Sequence, residues 1–251
     1  QNATPAGWLA LDAAANTIMV NRSWVGGQAY NVVSRKYASD DGHTIWEGGY
    51  DSPSHGTDDP RGMNLDAAGD ILVAGVSNSD YMTLKFDQDD GGLIWSAGYD
   101  GPPGWYDLAN YVVESPSGEI LVTGFSSSEV GGWDVLIQAL DADSGDELWT
   151  ARYNGDDDLT DEGVKMICSD LGDLYLLGYS YSYTTDQDQL IIRYSFGTTD
   201  LPAQIVEDWD LSAWPNPFHG SANLRLSLEL EQRLEVGIFD IQGRRVRALG
   251  A

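Results

Sequence analysis

Three tryptophans set the frame of this chain. Trp46, Trp95 and Trp149 stand 49 and 54 residues apart, and each is followed four positions later by a tyrosine: Tyr50, Tyr99 and Tyr153. Eight residues beyond each tyrosine comes Asp58, Asp107 or Asp161, and a Gly-x-Ser recurs at Gly75, Gly124 and Gly178 with the same two spacings. Self-similarity at a period of roughly 20–50 residues marks a repeat architecture, in which each unit buries its apolar face against its neighbour. The units lie at about 7–50, 61–99, 108–153 and 163–195.

Within a unit the periodicity is that of strands. In the third, the runs Asn110–Val113, Glu119–Thr123, Asp134–Leu140 and Glu147–Tyr153 are rich in β-branched, aliphatic and aromatic residues. Gly, Pro, Asp and Ser separate them. Four antiparallel strands per unit is the profile of a β-propeller blade. The expected fold class is therefore all-β, with tandem four-stranded blades over 1–200, a linker over 201–210 and a partial β-sandwich over 211–251. The first unit has Asn21 where later units have Gly, and the fourth lacks a final Trp-bearing strand. Four units can close as a small ring or form an arc of a larger one. A closed ring needs a segment such as 204–206 to complete the fourth blade.

Composition removes several functions. The chain of 251 residues carries 13 Lys+Arg against 40 Asp+Glu, a net charge of -27, and 33 of those acids fall within 1–200. Such a surface repels phosphate backbones and anionic bilayers, so nucleic-acid binding and electrostatic membrane docking are excluded. No run reaches the roughly 18 apolar residues of a spanning helix, so no membrane insertion is expected. The 9 Trp and 13 Tyr supply a core. The single cysteine, Cys168, rules out an intrachain disulfide and reads as a small core residue in an apolar strand. The chain begins at Gln1 without an apolar leader, so an export signal is expected to have been removed or left out. An Asp-rich surface with three Lys also suits a protein working in high salt.

The repeat resembles known families. The segment Ala139–Trp149, Ala-Leu-Asp-Ala-Asp-Ser-Gly-Asp-Glu-Leu-Trp, is similar to the tryptophan-docking motif of quinoprotein propellers, and Lys85–Trp95 is a looser copy. The longer frame resembles secreted bacterial β-propeller repeat families: Asp66-Ala-Ala-Gly69, Gly75-Val-Ser77, Asp80 and Lys85-Phe-Asp87 fit it. This resemblance covers most of residues 8–197 and implies that each Trp docks one blade on the next. Beyond residue 210, Pro215-Asn-Pro-Phe218 and the segment Val236–Val246 resemble the C-terminal sorting domain of the type IX secretion system and related immunoglobulin-like modules. Physically, period-two alternation in Ala222–Leu228 gives a half-buried strand, and Asp240-Ile-Gln-Gly243 gives a hairpin turn. The resemblance implies a secreted or cell-surface bacterial protein with the secretion machinery as partner. It covers only the first strands of such a module.

Candidate chemistry rests on carboxylates and aromatics. Asp87 and Asp89 before Gly91, Asp141 and Asp143 before Gly145, and the cluster Asp156, Asp157, Asp158, Asp161 and Glu162 have the look of oxygen-ligand loops for Ca2+. The same residues also serve as hairpin-turn formers on solvated loops, and Ala38 and Ser39 at the corresponding positions of the first unit favour that reading over the metal one. Trp24, Trp105, Tyr106, Trp133 and the run Tyr179–Tyr183, with Tyr181 and Tyr183, fall near inter-strand loops. They are candidate platforms for stacking sugar rings, or else blade-edge packing. Catalytic residues are not identified: Gly-x-Ser recurs at one repeat position without the second Gly of a nucleophile elbow, and His43 and His55 sit in polar loops. The favoured reading is a non-catalytic binding or adhesion protein for a glycan or protein ligand. A carbohydrate hydrolase or lyase using paired carboxylates is the alternative, and a quinoprotein dehydrogenase fragment, suggested by the docking motif alone, the third.

Overall fold

The computed structural model describes residues 7–25, 29–102, 104–129, 132–155, 157–169, 172–184 and 186–194, and the strand backbones of 210–214, 223–227, 236–239 and 245–249. Asp156, the linker at 201–209, the segments 204–206 and 215–218 and the turn at 240–243 lie outside the described residues. Every described element is a strand, and among the described residues no helix is long and apolar enough to cross a membrane.

Four antiparallel sheets follow one another, each in chain order from strand to strand. The first blade is β1 (Gly7–Leu11), β2 (Thr17–Val25), β3 (Ala29–Tyr37) and β4 (Thr44–Tyr50). The second is β5 (Asp58–Leu65), β6 (Ile71–Ser77), β7 (Asp80–Phe86) and β8 (Leu93–Tyr99). The third is β9 (Asp107–Glu114), β10 (Ile120–Ser127), β11 (Trp133–Leu140) and β12 (Glu147–Tyr153), and the fourth has β13 (Asp161–Cys168), β14 (Leu174–Ser182) and β15 (Asp186–Tyr194). Blades two to four thus begin at the repeated Asp, one to three residues before the sequence boundaries. Two hairpins follow, β16 (Asp210–Trp214) with β17 (Asn223–Ser227), and β18 (Val236–Phe239) with β19 (Arg245–Leu249).

Each blade packs face to face on the next, through the first strand of the later one: β5 on β1–β3, β9 on β5–β7, and β13 on β9–β11. Among the described residues no comparable packing joins β13–β15 to β1–β4. These are propeller-type blades in an arc. Three apolar layers fill the joints. Ile18, Val20 and Val32 meet Ile71, Val73, Met82 and Leu84. Leu72, Ala74 and Tyr81 meet Ala109, Val112, Ile120 and Leu136. Leu121, Val135 and Ile137 meet Met166, Leu174, Leu176 and Ile192.

The repeated residues are the hardware of these joints. Trp46 Nε1 donates to the Gln88 carbonyl and Trp95 Nε1 to the Ala142 carbonyl, both at 3.0 Å in the following blade. The receiving turns end in Gly91 and Gly145, with φ of +73° and +76°, and a Cβ there would strike the Trp46 and Trp95 rings. Only glycine meets both demands. Beside Trp46 and Trp95 a lysine crosses the joint: Lys36 and Lys85 donate to the same two carbonyls, while Ala139 holds that register position in the third blade. Behind them Asp12 and the pair Asp66 and Asp70 hold the ammonium groups. Burial works against the charge on Lys85, but the two carboxylates hold its pKa above the ordinary value.

Gly75, Gly124 and Gly178 answer a different need. The pairing of first and second strands slips by one residue beside each of them. At this bulge a Cβ would run into the Asp59, Leu108 or Glu162 carbonyl oxygen across the sheet. In the first blade no slip occurs, and Asn21 faces Gly7 in regular register. The Asn21 departure is therefore a difference in local pairing.

Candidate functional site

Up-and-down blades have two ends. At one end lie the β1–β2 and β3–β4 turns and their counterparts; at the other lie the hairpins from second to third strand and the connections between blades. Trp24 is the last residue but one of β2, Trp133 opens β11, Tyr181 lies at the end of β14 with Tyr183 just beyond, and Trp105 and Tyr106 lie in the β8–β9 connection. All six therefore fall at the interblade end. Asp87, Asp89, Asp141 and Asp143 sit at the opposite end.

The repeated Asp residues build the interblade end. Asp58 accepts the Ser52 N–H at 2.9 Å and the Ser77 hydroxyl at 2.6 Å. Asp107 accepts the Gly101 N–H at 2.8 Å and the Ser127 N–H at 3.1 Å. Asp161 accepts the Gly155 N–H at 2.6 Å. Each carboxylate closes its own connection on the blade it enters, and Ser77 of one Gly-x-Ser acts as a fastener rather than a nucleophile.

On this scaffold the aromatics form three groups. Trp133 stacks on Phe125 (4.4 Å between centroids, 13° between planes), and Tyr106 tilts against both at 6.3 and 5.8 Å. Val76 and Leu108 pack in the same cluster, and Trp105, next to Tyr106 in the chain, is exposed. Burial raises the Tyr106 pKa, with Asp59 and Glu162 adding to the rise and Arg61 opposing it. On the first blade Trp24 meets Tyr30 edge to face at 5.0 Å, and the Arg22 guanidinium lies 4.7 Å over the Tyr30 ring. Arg22 and Arg61 share the Asp59 carboxylate at 2.9 and 3.0 Å. On the fourth blade Tyr179 donates to Glu162, which also takes the Asn110 amide at 2.7 Å, and Tyr181 lies edge-on to Tyr179. Burial, then the bond to Glu162, raises the Tyr179 pKa. Tyr183 is exposed and donates its N–H to Asp157.

The carboxylates chosen from sequence have other partners. Asp87 Oδ1 accepts the Asp89 N–H, and Asp141 Oδ1 accepts those of Asp143 and Ser144, the pattern of a side chain capping its own turn. Asp143 lies exposed, and backbone bonds, with the Ser144 hydroxyl, lower the Asp141 pKa. Asp157 braces Tyr183, Asp158 accepts from Asn154, and Asp161 and Glu162 point to opposite faces of β13. Among the described residues, ligand atoms converge within 4.8 Å in two other groups, Asp40 with Asp41 and His43, and Asp80 with Asp100 and Asp107. Burial, then Asp100 and Asp107, raises the Asp80 pKa. His43 and His55 are exposed loop residues paired with Asp41 and Asp51. Cys168 joins the edge of the last apolar layer, and burial pushes its thiol pKa up.

Sequence reading did not single out Arg22, Tyr30, Asp59, Arg61, Asn110 and Phe125. A signal existed: Asp59 and Glu162 directly follow the repeated Asp, and Phe125 and Tyr179 follow the repeated Gly. Positions that vary inside an otherwise constant frame are where one blade end can be specialised.

No family model matches the sequence, and no curated protein matches it. Among solved structures the chain is similar to BamB from Moraxella catarrhalis, at 17% identity and TM-score 0.42 over 70% of this chain and 49% of that one. It is also similar to a protein assigned as a gluconolactonase, at 14% and 0.39 over 74% and 57%. A third is a bifunctional GH43-CE protein of Bacteroides eggerthii, at 9% and 0.41 over 97% and 26%. The chain thus spans about half of the first two and a quarter of the third.

Proposed function

We propose that this chain is an exported binding module that takes a glycan on the interblade end of its blades. One observation carries the reading: six aromatics scattered from residue 24 to residue 183 fall at a single end of the sheets. There Trp133, Trp105 and Trp24 are exposed, Tyr106 lies within electrostatic reach of Arg61, Asp59 and Glu162, and Arg22 lies over Tyr30. Flat exposed rings bordered by hydrogen-bonding groups suit a pyranose, whose apolar face stacks while its hydroxyls bond at the rim. The repeated Ser and Asp residues are consumed by the scaffold, which favours binding over hydrolysis. Export, with the secretion machinery as partner, rests on the resemblance of 211–251 to a sorting domain.

The test is an array of oligosaccharides probed with the full chain, in calcium and in EDTA. The expected result is a hit that Trp133→Ala abolishes while leaving the melting temperature within a few degrees. A folded protein silent on the whole array would overturn the reading, and a hit lost in EDTA would make a metal ion part of the site.

A further inference from the structure

The two ends of the arc show the same surfaces that are buried inside it. In every internal joint the forward face of one blade, toward higher numbers, covers the backward face of the next. The forward face of the third blade uses Val113 from β9, Leu121 from β10 and Ile137 and Ala139 from β11. By the strand registers, the matching residues on the fourth blade are Ile167, Tyr175, Ile191 and Arg193. Here Ile167 is 61% and Ile191 68% exposed, with Leu177 also exposed between them. The backward face of the second blade uses Met63, Leu65, Val73, Met82 and Leu84. Its counterparts on the first blade are Leu9, Leu11, Met19, Val33 and Arg35, with Leu9 70% and Leu11 64% exposed.

The cation and the receiving turn of the joint are also in place. Arg193 stands where Lys36 and Lys85 stand, at the third register step after the partner of the repeated Gly or Asn21. Like Lys85, which binds Asp70, it is held by the carboxylate at the end of its own blade's first turn: Nη2 reaches Asp173 at 2.6 Å. On the first blade, Ser39 occupies the position of Gln88 and Ala142, whose carbonyls receive the cation and the Trp in the first two internal joints. Gly42 occupies that of Gly91 and Gly145; it has φ of +73°, and nothing stands within 4 Å of where its Cβ would be. The fourth unit has no Trp at the docking position, which falls beyond Tyr194 and outside the described residues, so its half of the joint consists of three strands and the cation.

We infer that the occupant of each exposed face is a second copy of this chain, docked head to tail, the first blade of one copy on the fourth blade of the other. The internal joints define what fits, because the two exposed faces are the missing halves of one repeated interface. Ile191, Leu177 and Ile167 would cover Leu9, Leu11 and Met19 of the other copy, and Arg193 would face the carbonyl of its Ser39. Such a contact is heterologous: two copies close a ring if the arc spans half a turn, and otherwise the contact continues as a chain. Charge opposes it, since each copy carries a net charge of -27. The association should therefore strengthen as salt screens the repulsion.

Sedimentation equilibrium of the full chain, at about 0.15 M and about 1 M salt, tests this. A mass of two or more chains, larger in high salt, is expected. Leu9→Asp and Ile191→Asp should each give single chains at low concentration; both positions are exposed, so neither change should unfold the blade. An equimolar mixture of the two variants should regain a dimer, because the intact first blade of one meets the intact fourth blade of the other. Single-chain mass in both salts would overturn the inference. So would a dimer unaffected by either variant, or one that the mixture fails to restore.

Discussion

Ile137 and Ile191 hold the same place in successive blades, yet the first is fully buried and the second 68% exposed. The contrast extends to whole sheets. The second and third strands of blades two and three are buried on both faces, whereas those of blades one and four bury one face only. Local sequence is not the cause, since all four blades follow one pattern. The lesson is that burial in a stacked repeat belongs to a blade's position. An interior blade has two neighbours and an end blade has one.

The largest expected effect is at an interior joint. Trp95→Ala should cost roughly 3–5 kcal/mol, as buried Trp truncations do, because Trp95 packs in the apolar layer and donates to the Ala142 carbonyl. An unchanged denaturation midpoint would break the assignment of Trp95 to that joint. Next comes the matched pair. Ile137→Ala should lose about 2–5 kcal/mol, while Ile191→Ala in the isolated chain should stay within about 0.5 kcal/mol. Equal losses, measured by denaturant unfolding, would mean that the fourth blade is covered in solution. The smallest effect concerns Asp80, whose pKa is raised by burial and by Asp100 and Asp107. A raised carboxylate pKa favours the folded state below the ordinary value, and that advantage is lost as pH rises through the folded-state pKa. Asp80→Asn should therefore stabilise the protein near pH 7 by about 0.5 kcal/mol. The gain should vanish in acid, where Asp80 is itself protonated. Thermal melts across pH decide it, and a gain that persists in acid would break the electrostatic account.

The markers read from the sequence proved to be the joints and fasteners. Trp46 and Trp95 were legible because a docking residue must recur at every joint, and Gly75, Gly124 and Gly178 because each bulge excludes a Cβ in the same way. Asp58, Asp107 and Asp161 were visible as a spacing, but their work was not. It depends on backbone N–H groups six residues upstream, which only the folded connection brings near. Arg22, Arg61 and Asp59 were invisible for a related reason: their grouping joins the first blade to the second, and no local pattern records it.

The sequence by itself determined the repeat, the all-β class and the strand period, because hydrophobic alternation and turn chemistry act over a few residues. Tertiary structure decided which blade faces are covered, which end collects the aromatic rings, and which carboxylates cap turns or close connections. Those outcomes depend on contacts between residues tens of positions apart, set by how twisted sheets stack.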